Sequence, residues 1–405
     1  MLDRKRYIET LIPFINKPVI KAITGIRRCG KSTLLMQIIQ LLQNEREIDS
    51  QHIISINKEL FEFDAIKNYK DLHTYISQKS AKLAGTCYVF IDEIQEIEGW
   101  EKAITSLLAE KRYDLYITGS NARLLSSELA TLLSGRYIEC AMHTLTFLEF
   151  SQLTAMRAQS HNMSVFEVFV RYGGFPGIHH LDMQDIVVRQ FLQAIYNTVL
   201  LKDVVQKNAI RDAAMLDVIA KYVIDNCGNI TTAKNISQYM KSQQRKISVD
   251  TVLNYIHFCC DAHIFEKVKR YDIKGKRLLE THEKYYMGDV GFKYATVGYR
   301  PQDISGQLEN IVYLELRARG FTVSIGKIDD KEIDFIAEKG ADKMYIQVCT
   351  TLNDEKVIER EYASLEAVKD HFPKIVLSLD DKFDTSRNGI RWMNIEAYLS
   401  SSSIG

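Results

Sequence analysis

One octapeptide limits the fold of this chain more than any other feature. Gly25-Ile26-Arg27-Arg28-Cys29-Gly30-Lys31-Ser32 matches G-x-x-x-x-G-K-[ST] in full, with an apolar run before it and a helical run after it. The glycines let the backbone curl so that its N–H groups point at phosphate oxygens. The helix opening near Lys31 adds the positive end of its dipole. Lys31 is expected to reach the β- and γ-phosphates and the Ser32 hydroxyl to hold Mg²⁺. Residues Gly25 to Ser32, with Thr33, form the expected nucleotide cradle.

A second element completes the chemistry. In Tyr88-Val89-Phe90-Ile91-Asp92-Glu93 four apolar residues lead to two carboxylates, the pattern of a buried strand ending in acids. Asp92 is expected in the magnesium shell and Glu93 as general base for the attacking water. One strand signal, His52–Asn57, lies between the loop strand and the acidic strand. This order, with Glu directly after Asp, resembles the additional-strand class of P-loop ATPases rather than kinases or GTPases. No N-K-x-D guanine-reading motif occurs, so ATP is the expected nucleotide. The next strand ends Thr118-Gly119-Ser120-Asn121. Asn121 and Ser120 are candidates to sense the γ-phosphate, with helix capping as the competing role.

Apolar runs at Val19–Thr24, His52–Asn57, Thr86–Asp92, Tyr113–Thr118 and Tyr137–Met142 alternate with helix-like segments near Lys31–Asn44, Tyr69–Leu83, Trp100–Lys111 and Ala122–Leu133. This spacing implies right-handed βαβ units and a mostly parallel sheet over residues 1–142. Residues 143–220 read as a helical lid, broken by Gly173-Gly174-Phe175-Pro176-Gly177. Residues 221–299 read as helix, turn, helix and a hairpin centred on Lys274-Gly275-Lys276, the order of a winged helix. Residues 300–405 return to α/β. Only 5 prolines occur in 405 residues and no Gly/Ser-rich linker stands out, so these parts are expected to pack together.

The motifs TGIRRCGKSTLL, YVFIDEIQEIEGWEKAI, ITGSNARLLSSELATLLSGRY, RYGGFPG, LLKDVV and YYMGDVGF together resemble a widespread prokaryotic family of AAA+-like ATPases that carry a C-terminal domain of unassigned function. The likeness spans nearly the whole chain. It implies an ATPase domain, a helical lid, a winged helix and a C-terminal fold similar to restriction endonucleases. In oligomeric ATPases of the AAA+ type, an arginine just before the fifth strand reaches a neighbour's γ-phosphate; Arg136, in Ser134-Gly135-Arg136, stands there. Nucleases of the PD-(D/E)xK type hold Mg²⁺ with an upstream helical Glu, an Asp and an E-x-K strand. Here Glu309 and Asp334 match, but Gln347 occupies the Glu position and Cys349 the Lys position. The resemblance therefore supports the fold and not the cutting.

Formal net charge is zero, so any nucleic-acid surface must be local. Residues 231–285 carry 11 Lys and Arg against 6 Asp and Glu. Lys267, Lys269, Arg270, Lys274, Lys276 and Arg277 are candidate phosphate contacts to double-stranded DNA; a solvated or packing face is the competing reading. His257, Cys259, Cys260 and His263 read as core residues rather than metal ligands. Seven cysteines without a C-x-x-C pair suggest free thiols in a reducing compartment, hence a cytoplasmic address. No apolar run is long enough for a membrane span. The expected activity is ATP hydrolysis by a switch or motor, oligomeric when active, coupled to a nucleic-acid or protein partner. An ATP-dependent DNA-processing nuclease and a defence or regulatory protein that uses ATP as a conformational switch remain as alternatives.

Overall fold

A computed structural model describes residues 2–122, 133, 135–157, 163–381 and 385–401. The chain divides into two compact units, Met1–Met142 with Asp261–His263, and His143–Cys260 with Ile264–Gly405.

The first unit is built on five strands: β1 (Ile20–Thr24), β2 (Ile53–Asn57), β3 (Cys87–Asp92), β4 (Tyr113–Gly119) and β5 (Tyr137–Ala141). Their order is β2-β3-β4-β1-β5 and every pairing is parallel. Strands β1, β3 and β4 are buried at every position, which is why their sequences run apolar instead of alternating. Helices α1 (Lys5–Leu11), α2 (Lys31–Asn44), α3 (Tyr69–Ser80) and α4 (Trp100–Ala109) connect or cover them. Asn68 caps α3 and Asp71 returns the bond, a reciprocal capping box. Because the strands are parallel, Thr24, Asn57, Asp92 and Gly119 all finish at the same edge, where loops converge on a site. One charged pair lies in the middle of the sheet. Lys21 of β1 is wholly buried and pairs with Asp114 of β4, which also accepts from the Asn16 N–H and the Tyr116 hydroxyl. The expected helix Ala122–Leu133 and Ser134 lie almost wholly outside the described residues.

The second unit opens with α5 (Phe147–Met156), α6 (Val165–Tyr172) and α7 (Asp185–Thr198), continued by a π-helical stretch over Val199–Gln206. Then come α8 (Ala213–Asp225), α9 (Ala233–Ser242) and α10 (Val249–Asp261). The hairpin β6 (Phe265–Asp272) and β7 (Arg277–Met287) follows, with α11 (Gly291–Thr296) and α12 (Ile304–Ala318) after it. The chain closes through β8 (Thr322–Ile328), β9 (Lys331–Lys339), β10 (Asp342–Val348), α13 (Glu355–Glu366), β11 (Lys374–Ser378), β12 (Thr385–Arg387), β13 (Ile390–Asn394) and α14 (Ile395–Ser400).

The helix–turn–helix and hairpin anticipated over 221–299 are present as elements, but the hairpin is not a separate wing. Arg270, Tyr271 and Asp272 of β6 pair in parallel with Ile325, Gly326 and Lys327 of β8. This makes β6 and β7 the end strands of one eight-stranded sheet, ordered β12-β13-β11-β10-β9-β8-β6-β7. The segments 221–299 and 300–405 thus share a sheet, through a pairing between stretches over fifty residues apart that local patterning does not register. His257 is exposed and Cys260 half-buried, so of that quartet's helical members only Cys259 sits in the core.

Candidate nucleotide site

The phosphate loop joins the end of β1 to α2, as its sequence requires. Gly25 has φ of 147°, and a Cβ there would meet the Met142 carbonyl oxygen at 2.1 Å, so no side chain fits. Gly30, at φ of 109°, caps α2. Lys31 is buried and donates from Nζ to the carbonyls of Gly25 at 3.0 Å and Ile26 at 3.3 Å. Ile26, Arg27 and Cys29 are buried, Gly30 and Thr33 half-buried, and Arg28 and Ser32 exposed. Burial pushes the Cys29 thiol up, which keeps it neutral and unreactive. Arg4 contacts the same loop, donating to the Cys29 carbonyl at 3.3 Å, and its backbone N–H is held by Gln37 of α2 at 3.2 Å. No pattern near the loop pointed to this residue.

The acidic pair sits at the neighbouring strand end. Asp92 and Glu93 are both buried. Glu93 has φ of 56°, left-handed for a residue with a side chain, a strained conformation that functional sites concentrate. Thr118, at the end of β4, holds the pair together. Its hydroxyl accepts the Glu93 N–H at 2.9 Å and donates to Asp92 Oδ1. Gln95 donates from its amide to Glu93 Oε2 and, at 3.5 Å, to Ser120 Oγ. Lys31 Nζ lies 3.6 Å from Glu93 Oε1, so the loop lysine and the candidate base are in direct electrostatic contact. Ser120 and Asn121 are buried just beyond β4. Arg136 is exposed beside the edge strand, and its carbonyl accepts the Ile20 N–H at 2.9 Å. Thr118 and Gln95 were absent from the sequence-based candidates; the one hint was a polar residue closing an apolar strand.

This donor set suits Mg-nucleotide. Oxygen donors are what Mg²⁺ prefers, and Ser32 on the first turn of α2 with Asp92 at the end of β3 supplies a hydroxyl and a carboxylate.

A parallel sheet with a glycine loop and lysine after β1 and carboxylates at the end of β3 defines a P-loop ATPase fold. Residues 17–151 match the model of an AAA domain, and residues 164–303 match that of a domain of unknown function. A Haemophilus influenzae protein described as "Uncharacterized protein" is 35% identical over 400 residues, 98% of each chain, and this chain belongs to its family. The Methanocaldococcus jannaschii protein MJ1544, also described as uncharacterized, is 29% identical over 87% of this chain and 79% of its own. The Walker-type ATPase PABY2304 of Pyrococcus abyssi matches with a TM-score of 0.49 at 14% identity, over 73% of this chain and 96% of that one.

The nuclease-like residues lie in the second unit. Glu309 stands on α12, Asp334 on β9 and Gln347 on β10. Gln347 accepts the Asp334 N–H at 3.3 Å and donates to Glu361 at 2.9 Å, and the Val348 N–H donates to Asp334 at 2.8 Å. The cation among them is Lys284 of β7, 2.8 Å from Glu332, 3.0 Å from Glu309 and 4.0 Å from Asp334. Burial works against the ammonium, but Glu309, Asp334 and Glu332 together outweigh it and hold the Lys284 pKa above the ordinary lysine value. Burial, then the Glu309 charge, pushes Asp334 far up. Divalent metal does not fit here: an ammonium fills the gap between the acids, and Gln347 is engaged with protein groups. Among the described residues no group of three or more His, Cys, Asp or Glu side chains is arranged to hold a metal ion. Cys349 is buried, its thiol raised by burial to about 12, and it contacts the Leu377 carbonyl.

The basic hairpin is partly neutralised. Lys267 pairs with Glu283 at 2.6 Å, Arg270 with Glu332 at 3.5 Å and Lys274 with Asp329 at 2.7 Å. Lys269, Lys276 and Arg277 are exposed. No helix among the described residues is long and apolar enough to cross a membrane.

Proposed function

We propose that this chain binds ATP with Mg²⁺ and hydrolyses it as a switch whose nucleotide state is read by a nucleic-acid or protein partner. The observation that carries this reading is the meeting of Lys31 with Glu93 at 3.6 Å, beside an Asp92 tied to Glu93 through Thr118. Lys31 would give up its loop carbonyls for the β- and γ-phosphates, which its burial makes a strong electrostatic contact. Ser32 and Asp92 would hold Mg²⁺, which when bound would neutralise charge on the phosphate oxygens. Glu93 takes the proton of the attacking water, with Asn121 and Ser120 as candidates to orient that water at the end of β4. Exposure of Arg136 suits a finger offered to a neighbouring copy, and a homo-oligomeric working state follows. The residual basic surface of the hairpin, Lys269, Lys276 and Arg277, supports a modest, salt-sensitive contact with double-stranded DNA. The seven free cysteines support a reducing compartment and hence a cytoplasmic address. DNA cleavage by the second unit is disfavoured because Gln347 and Cys349 stand where the nuclease pattern has Glu and Lys, and Gln347 is engaged with Asp334 and Glu361.

The test is ATP turnover of wild type and Glu93→Gln, with and without double-stranded DNA, at two salt concentrations. Turnover that the variant loses by 100-fold or more is the expected result. Stimulation by DNA that fades with salt selects the nucleic-acid partner. Turnover indifferent to DNA turns the search to proteins. A wild type that binds but never hydrolyses ATP leaves the regulatory reading, with ATP as a conformational ligand.

A further inference from the structure

Glu93 is the candidate base, yet its carboxylate is already engaged. Lys31 Nζ lies 3.6 Å from one oxygen and Arg27 Nη2 lies 3.8 Å from the other, which also accepts from Gln95. Arg27 Nη1 donates to Glu59 at 3.1 Å. The Arg27 and Glu93 side chains are each 8% exposed, whereas that of Glu59 is 49% exposed. Arg27 therefore bridges a half-exposed acid beyond β2 and the buried acid at the end of β3. The two cations on Glu93 are the groups best placed to meet phosphate, since both lie in the loop. Two cations hold that carboxylate in place, and screening is poor where both partners are buried. A triphosphate carries more negative charge than one carboxylate and is the stronger competitor for both cations.

We infer that Arg27 is a positioning residue that, with Lys31, latches Glu93 onto the phosphate loop, and that phosphates entering the site displace Glu93 from both. The base is then released only in a filled site. This rests on the ATP-binding reading above. The latch has a thermodynamic signature that needs no turnover: part of the affinity for phosphate is spent on breaking the pairs to Glu93. Removing Arg27 from the wild type costs a phosphate contact but also spares one of those pairs. Removing it when Glu93 is already neutral costs the contact alone.

The experiment is a titration of a fluorescent, non-hydrolysable ATP analogue into the full chain, with Mg²⁺, for wild type, R27Q, E93Q and the double variant. E93Q is expected to tighten binding several-fold. R27Q is expected to weaken binding by a factor roughly three to ten times larger in the E93Q background than in the wild-type background. R27K, which keeps the charge, should keep the affinity difference between Glu93 and its neutral replacement. A purely structural role for Arg27 moves both backgrounds equally. Equal factors, within about twofold, with nucleotide binding intact overturn the latch alone. Failure of every form to bind nucleotide overturns the ATP reading and the latch with it.

Discussion

At the scale of single residues, the side chain that organises the site is Thr118. One hydroxyl accepts from the Glu93 backbone and donates to the Asp92 carboxylate, so it fixes both acids from the adjacent strand. Thr118→Val keeps the shape and removes the bonds, leaving a buried N–H without its acceptor at a cost of roughly 1–3 kcal/mol. Steady-state kinetics should show turnover falling on the order of tenfold or more, with Thr118→Ser retaining most of it. Equal activity in the two variants would mean that the hydroxyl is idle.

At the scale of elements, the glycine-rich breaker of the second unit serves to seat one acid. Asp289 accepts from the Gly174 N–H at 2.9 Å and the Gly291 N–H at 2.8 Å. A Cβ on Gly173 would meet Asp289 Oδ1 at 1.9 Å, and one on Gly174 the Leu145 carbonyl at 2.3 Å. The motifs RYGGFPG and YYMGDVGF are thus two halves of one bracket that ties α6 to α11. Burial raises the Asp289 pKa from 3.8 to about 6. The sign follows from linkage. An acid that binds its proton more tightly when folded weakens the fold above its folded pKa, and the penalty disappears as pH falls through 6 toward 3.8. Relative to Asp289→Asn, the wild type should therefore gain about 1 kcal/mol of stability between pH 7 and pH 5. Urea unfolding of the two forms at both pH values measures this difference, and a flat difference would place the Asp289 pKa near its ordinary value.

At the scale of the whole molecule, the second unit is knit by charge as well as by strands. Lys284 comes from the hairpin, Glu309 from α12, and Glu332 and Asp334 from β9, so one ammonium joins the segments 221–299 and 300–405. Lys284→Met leaves buried acids without their cation, and breaking such a cluster costs about 3–5 kcal/mol. Denaturant unfolding of the full chain should show that loss in the second unit, and added Mg²⁺ should not restore it. Restoration by Mg²⁺ would show that a metal can take the place of Lys284 after all.

The octapeptide at Gly25, the acidic pair at Asp92 and the alternation of residues 1–142 were legible without coordinates, because strand burial, helix periodicity and loop glycines are written in contiguous residues. The five strands and three of the helices lie within a few residues of their expected limits for that reason. Contacts between distant stretches were not legible. Thr118 reaches Asp92 and Glu93 across a parallel pairing, Arg27 reaches Glu59 across thirty-two residues, Lys284 reaches Glu309 from another strand, and β6 joins β8. What the sequence alone determined about this protein is the phosphate loop, its carboxylates and the sheet that carries them. Only the tertiary structure decided which cations face which acids, because pairing across strands depends on register and sheet order, which no local spacing encodes.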